Sequence, residues 1–129
     1  CDFAGARVLL AEDNKMNMEI AKAILSSWDI TVDEAWDGQE AVDMFCSSPA
    51  GTYKAILMDI HMPKMDGYSA TQTIRASSHP EASSVPIIAM TADVFAEDVS
   101  KAMSAGMSGH IGKPIDNDML FDIMRKCCG

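Results

Sequence analysis

The chain has 129 residues, 48% of them hydrophobic and 22% charged, which fits one soluble domain large enough to bury a core. Nineteen acidic against ten basic residues give a net charge of −9, which argues against nucleic-acid binding by this domain, because phosphate contacts need Lys and Arg. No apolar run approaches the roughly 20 residues of a membrane-spanning helix, so direct membrane insertion is not expected.

Cys1 to Arg7 lacks the basic-then-apolar pattern of a signal peptide. The start at Cys1 and the end at Cys127-Cys128-Gly129 read as a single domain, residues 1–129, excised from a longer polypeptide. Cys1, Cys46, Cys127 and Cys128 form no C-x-x-C pair and no metal-ligand spacing, and are expected as free thiols in a reducing cytosol.

Along the chain, short strand-like runs alternate with helix-like ones. The first strand is predicted over Arg7–Ala11. A helix follows, with Asn17, Ile20, Ala21, Ile24 and Trp28 recurring as one stripe. Thr31–Ala35 is the second strand. Gly38–Ser47 is the second helix, with Ala41, Val42 and Phe45 on a face, and Ser47–Thr52 reads as a loop. Ala55–Asp59 is the third strand, Gly67–Ala76 the third helix and Ser77–Ser84 a second loop. Pro86–Thr91 is the fourth strand. The fourth helix, about Val94–Ala105, ends at Gly106 as a C-cap. Gly109–Lys113 is the fifth strand. The last helix, Asp116–Lys126, opens acidic and closes on Arg125-Lys126, which suits the helix dipole.

Several strands are apolar throughout, as parallel strands covered on both faces are. Five βα units in series, joined by right-handed crossovers, predict an α/β fold. It is a doubly wound parallel sheet of five strands in the flavodoxin-like order 2-1-3-4-5, with five helices.

Ligands of such sheets bind at the carboxyl ends of the strands. Glu12-Asp13 follows the first strand, Asp59 ends the third, Thr91 the fourth and Lys113 the fifth. Clustered carboxylates need neutralising, and a hard divalent cation with oxygen ligands does this where phosphoryl groups are handled. Lys113 adds a second positive charge. Thr91 and backbone N–H groups near Ala92 add donors. The set contains what phosphoryl transfer requires, with Asp59 as in-line nucleophile. Taken singly, Glu12-Asp13 fits a solvated loop, Thr91 a strand-end hydroxyl and Lys113 a surface lysine. A charge ending a buried strand, as at Asp59, needs a partner. The joint occurrence carries the reading.

With these residues in place, the chain resembles the receiver domain of response regulators over nearly its whole length. The matching stretches are Val8-Leu-Leu-Ala-Glu-Asp-Asn14, Leu57-Met-Asp-Ile-His-Met-Pro-Lys-Met-Asp-Gly67, Pro86-Ile-Ile-Ala-Met-Thr-Ala92 and Gly112-Lys-Pro-Ile115. The resemblance implies a CheY-like fold and a phosphoacceptor at Asp59. It implies Mg²⁺ (or Mn²⁺) on Asp13, Asp59 and the His61 carbonyl, with Glu12 acting through water. Thr91 would be the switch hydroxyl, Lys113 the phosphoryl-pairing amine and Pro114 a cis-proline aiming it. His61 and Asp93 would tune the lifetime of the phosphate.

Asp13-Asn14, then Asn17 and Ile20-Ala21, look most like receivers fused to hybrid sensor histidine kinases. The implied partner is a histidine kinase or a histidine-containing phosphotransfer domain docking over the rim and the first helix, with Met16 as a candidate contact. The expected location is cytoplasmic, tethered to the inner face of a membrane where the parent is a membrane sensor.

Receivers usually carry Tyr or Phe where this chain has His110, so the usual aromatic switch is weakened here. The resemblance implies a domain that assists its own phosphorylation and dephosphorylation but turns over no separate metabolite. Three alternatives remain: a degenerate receiver used only for protein binding, an aspartate-nucleophile phosphatase and a flavodoxin-like cofactor binder. The intact five-residue set opposes the first, His61 in place of a second Asp opposes the second, and the acidic first loop opposes the third.

Overall fold

A computed structural model describes residues 5–91, 96–113 and 115–128. Its elements alternate strictly: β1 (Arg7–Ala11), α1 (Lys15–Ser26), β2 (Thr31–Ala35), α2 (Gly38–Cys46), β3 (Ala55–Asp59), α3 (Gly67–Ala76), β4 (Ile87–Thr91), α4 (Ala96–Ala105), β5 (Gly109–Gly112) and α5 (Asn117–Cys128). The sheet is parallel throughout, in the order β2-β1-β3-β4-β5. This is the expected doubly wound fold.

The pleat sorts the core into two layers. Val8 and Leu10 of β1 join Ala55 and Leu57 of β3 beneath α1 and α5. Leu9 and Ala11 join Ile56 and Met58 beneath α2, α3 and α4. Both faces are covered, which is why β3 and β4 are buried along their full length and read as continuous apolar runs.

Several expectations shift. α2 ends at Cys46 rather than Ser47, and β4 begins at Ile87 rather than Pro86. The buried line of α1 is Met18, Ala21 and Leu25, whereas Ile20 is exposed and Asn17, Ile24 and Trp28 are half-buried. The helix is apolar over a wide arc, so its sequence left the facing angle open by about one residue. β5 ends at Gly112, which places Lys113 just past the strand. α5 begins at Asn117 because the Asp116 carboxylate accepts from the Asp118 and Met119 N–H groups outside the first turn, and it runs on to Cys128. Gly106 takes φ +106° after α4, the left-handed conformation of a helix-ending glycine.

β1 pairs with β2 on one side and β3 on the other, so the chain reverses its winding between β1 and β3. The loops leaving those two strands must part, and a crevice opens at their carboxyl ends.

Candidate functional site: a carboxylate rim with one buried lysine

Glu12 extends β1 by one residue, its N–H donating to the Ala35 carbonyl at 3.0 Å. That bond turns its side chain into the rim. The Glu12 carboxylate then accepts from the Asn14 N–H at 3.1 Å, and the Asn14 side chain accepts from the Asn17 N–H at 3.0 Å, capping α1. The tight Glu12–Asn14 turn is thus held by the residues that also start the helix.

Asp59 closes β3 and is only 4% exposed. Ligand atoms of Glu12, Asp13 and Asp59 all lie within 4.8 Å of one another. Lys113 reaches in from the end of β5. Its Nζ sits 2.7 Å from Glu12 Oε1 and 3.0 Å from Asp59 Oδ2. The lysine's own N–H donates to the Thr91 carbonyl at 2.8 Å, so one backbone bond ties the base of Lys113 to the buried end of β4.

The electrostatics follow from burial. The Glu12 carboxyl is held above the usual carboxylate range, first because it is desolvated and then because Asp59 stands beside it. Lys113 and the Asn14 N–H offset this only in part. Burial alone would depress the Lys113 amine, and that is the largest single influence on it. The combined pull of Glu12 and Asp59 outweighs it and keeps the ammonium above its ordinary value. Three carboxylates against one ammonium leave negative charge in excess. The donor set is hard oxygen, partly exposed at Asp13, and it fits a divalent cation such as Mg²⁺.

His61 follows Asp59 in the loop to α3. It is exposed, and its N–H points to Asp59 Oδ1 at 3.4 Å. His110 lies on β5 opposite Ala89. It is exposed and lines a groove of about 450 Å³ between β5 and α5, with Ile88, Ile123 and Cys127. Ala92, Asp93 and Pro114 lie outside the described residues.

The expected five therefore converge: Lys113 pairs directly with Glu12 and Asp59, Asp13 brings a carboxylate oxygen within 4.8 Å of theirs, and Thr91 joins through its backbone tie to Lys113. Missed by the sequence reading were the glycines that make room for the rim. Gly67 starts α3 directly behind Asp59, its N–H donating to the Ile60 carbonyl at 2.8 Å. A Cβ there would overlap the Asp59 carbonyl. The available signal was a repeated one: Asp-Gly opens both α2 and α3.

The family model "response regulator receiver domain" matches residues 8–125. The chain belongs to the response regulator receiver domain family. The module is the phosphoacceptor of two-component signalling. Among curated relatives, Histidine kinase 1 of Arabidopsis thaliana is 33% identical over 90% of this chain and 12% of its own length. Hybrid signal transduction histidine kinase I of Dictyostelium discoideum is 38% identical over 92% of this chain and 7% of its own. The chain thus spans a small fraction of the proteins it matches. The receiver domain of a sensor histidine kinase from Pseudomonas aeruginosa PAO1, with magnesium ion coordinated in its active-site cleft, superposes with a TM-score of 0.85. It is 38% identical, with 95% of this chain and 97% of that one covered. Similarity to the receivers of hybrid kinases is as expected from the first motif. No helix among the described residues is long and apolar enough to cross a membrane.

Proposed function

We propose that Asp59 of this receiver takes a phosphoryl group from a phosphohistidine on a histidine kinase or a histidine-containing phosphotransfer domain. One observation carries this above all: the Glu12, Asp13 and Asp59 carboxylates meet within 4.8 Å, and Lys113 bridges two of them. In the transfer, an Asp59 oxygen forms the O–P bond as the P–N bond breaks, and the departing imidazole nitrogen keeps the electron pair and takes up a proton.

Asp13, Asp59 and the His61 carbonyl would hold Mg²⁺, with Glu12 acting through water; Mn²⁺ suits the same oxygens. When bound, the ion neutralises the carboxylates and the incoming phosphoryl charge. Lys113 supplies a fixed positive charge to one phosphoryl oxygen, the Thr91 hydroxyl a donor to another, and the N–H near Ala92 a third. Asp59 needs no separate base, because it attacks as a carboxylate. His61 and Asp93 are proposed to set how long the acyl phosphate survives hydrolysis.

His110 is exposed at the position where the resemblance to receivers leads one to expect Tyr or Phe. This favours a domain that relays phosphate within a larger signalling polypeptide on the cytoplasmic side, over one that drives its own output domain. Residues 1–129 would then be one unit of that polypeptide.

Incubation with Mg²⁺ and acetyl phosphate tests the chemistry. An acid-stable, base-labile adduct is expected in the wild type and not in Asp59→Asn. A wild-type chain that takes no label from either acetyl phosphate or a phosphohistidine protein contradicts the reading.

A further inference from the structure

The Asp-Gly pair at α3 serves Asp59 directly. The pair at α2, Asp37-Gly38, has no part in the chemistry above, yet Asp37 is buried. Its Oδ1 accepts from the Glu40 N–H at 2.8 Å and caps α2. Its Oδ2 lies 3.6 Å from the Lys64 ammonium, in the loop between β3 and α3. The Gly38 N–H donates to the Met65 carbonyl of the same loop at 3.1 Å. A Cβ on Gly38 would overlap that carbonyl. Gly38 has no positive φ, so closeness of approach, not backbone freedom, demands glycine here.

The loop shows the marks of being held. Lys64 takes φ +64°, a conformation that a lysine keeps only where its surroundings impose it. The Met65 N–H closes a tight turn onto the Pro63 carbonyl at 2.7 Å. Met62 and Met65 pack against the apolar cluster beneath α2 and α3. The loop is thus pinned at one end by Gly67 on Ile60 and at the other by Gly38 on Met65. His61 lies between the pins, its N–H directed at Asp59.

We propose that Asp37-Gly38 is a positioning device for the cation site. By seating Lys64 and Met65 on the start of α2, it fixes the main chain at His61, so that the carbonyl is presented without a cost of ordering at the moment of binding. The pair touches neither the ion nor the phosphoryl group. This rests on the Mg²⁺ reading above.

The test is a titration of the isotope-labelled chain with MgCl₂, followed by amide chemical shifts. Gly38→Ala is expected to weaken Mg²⁺ affinity about tenfold, the lower end of what outer-shell partners of metal sites contribute. Alanine is a better helix former than glycine, so α2 itself gains, and the loss reports the displaced loop. Asp37→Asn keeps a capping oxygen but removes the charge facing Lys64. It is expected to weaken binding at low ionic strength, where the 3.6 Å pair still operates, and Lys64→Gln, which would strengthen cation binding by remote charge alone, is expected to weaken it too. A folded Gly38→Ala with wild-type Mg²⁺ affinity overturns the inference. Should that variant not fold, unchanged affinity in Asp37→Asn overturns it instead. A wild-type chain whose amides do not respond to Mg²⁺ would overturn the cation-site reading on which the inference stands.

Discussion

Glu12 is 1% exposed and shares Lys113 with Asp59. A buried carboxyl beside another carboxyl disfavours its own charge, and its raised value says so. Between the ordinary value of 4.5 and the raised one, the folded chain keeps a proton that the unfolded chain has lost. The contribution is therefore fully present below pH 4.5 and disappears as pH rises through the higher value. At neutral pH the charged rim costs stability, which the proposed cation would offset. Glu12→Gln removes the cost, and Asp59 still pairs with Lys113. We expect it to raise the metal-free melting temperature by about 4 °C, for about 1 kcal/mol, and to reduce the further gain on adding Mg²⁺. Calorimetry with and without Mg²⁺ reads both. A lower melting temperature in the metal-free variant would show that the Lys113 contact outweighs the burial.

Element boundaries were largely legible because their causes are local. β3 and β4 are short apolar runs ended by a polar residue, and Asn14, Asp37 and Asp66 cap α1, α2 and α3. Contacts between distant elements were not legible. Arg75 reads in sequence as a surface cation near the end of α3. Its Nε donates to Gly106 O at 2.9 Å, its Nη1 to Ala82 O and Val85 O at 3.1 and 2.7 Å, and its Nη2 to Ser108 Oγ at 3.3 Å. One guanidinium therefore joins α3, the loop before β4, the end of α4 and the approach to β5. Nothing in a single chain pairs residue 75 with 106. Removing several charge-assisted bonds to partly buried carbonyls should cost about 2–3 kcal/mol in Arg75→Ala. Arg75→Lys should recover little, because an ammonium lacks the planar fork. Denaturant unfolding measures both, and a loss under about 0.5 kcal/mol, the range of an ordinary surface change, would contradict the clamp. The α1 stripe was rotated for a related reason: Ala21 is buried and Ile24 and Trp28 pack against the core, but Met18 and Leu25 take its centre. Met18 and Leu25 compete with Ile20 and Ile24 for the same arc, and only the shape of the underlying sheet chooses between them.

For the molecule as a whole, the sheet order brings residues 12, 13, 59, 91 and 113 to one rim, and it leaves apolar side chains exposed beside them. Met16 is 71% and Ile20 40% exposed on the same side of α1. Met16 is our candidate for the surface that meets the phosphate donor. Met16→Glu should slow transfer from a phosphohistidine protein about tenfold, as loss of an interface anchor does, and leave labelling by acetyl phosphate unchanged. Equal slowing with both donors would place Met16 in the chemistry instead, and no slowing with either would remove it from the interface. Chain order, charge and strand register thus converge on Asp59, and its modification can be located directly. The chain is phosphorylated by a phosphohistidine donor in Mg²⁺ and trapped with borohydride, which reduces an aspartyl phosphate to homoserine. Peptide mass spectrometry then reads the position. Homoserine at 59 alone is the expected result; homoserine at 13, at another acidic position or nowhere in a chain exposed to a competent donor would contradict it.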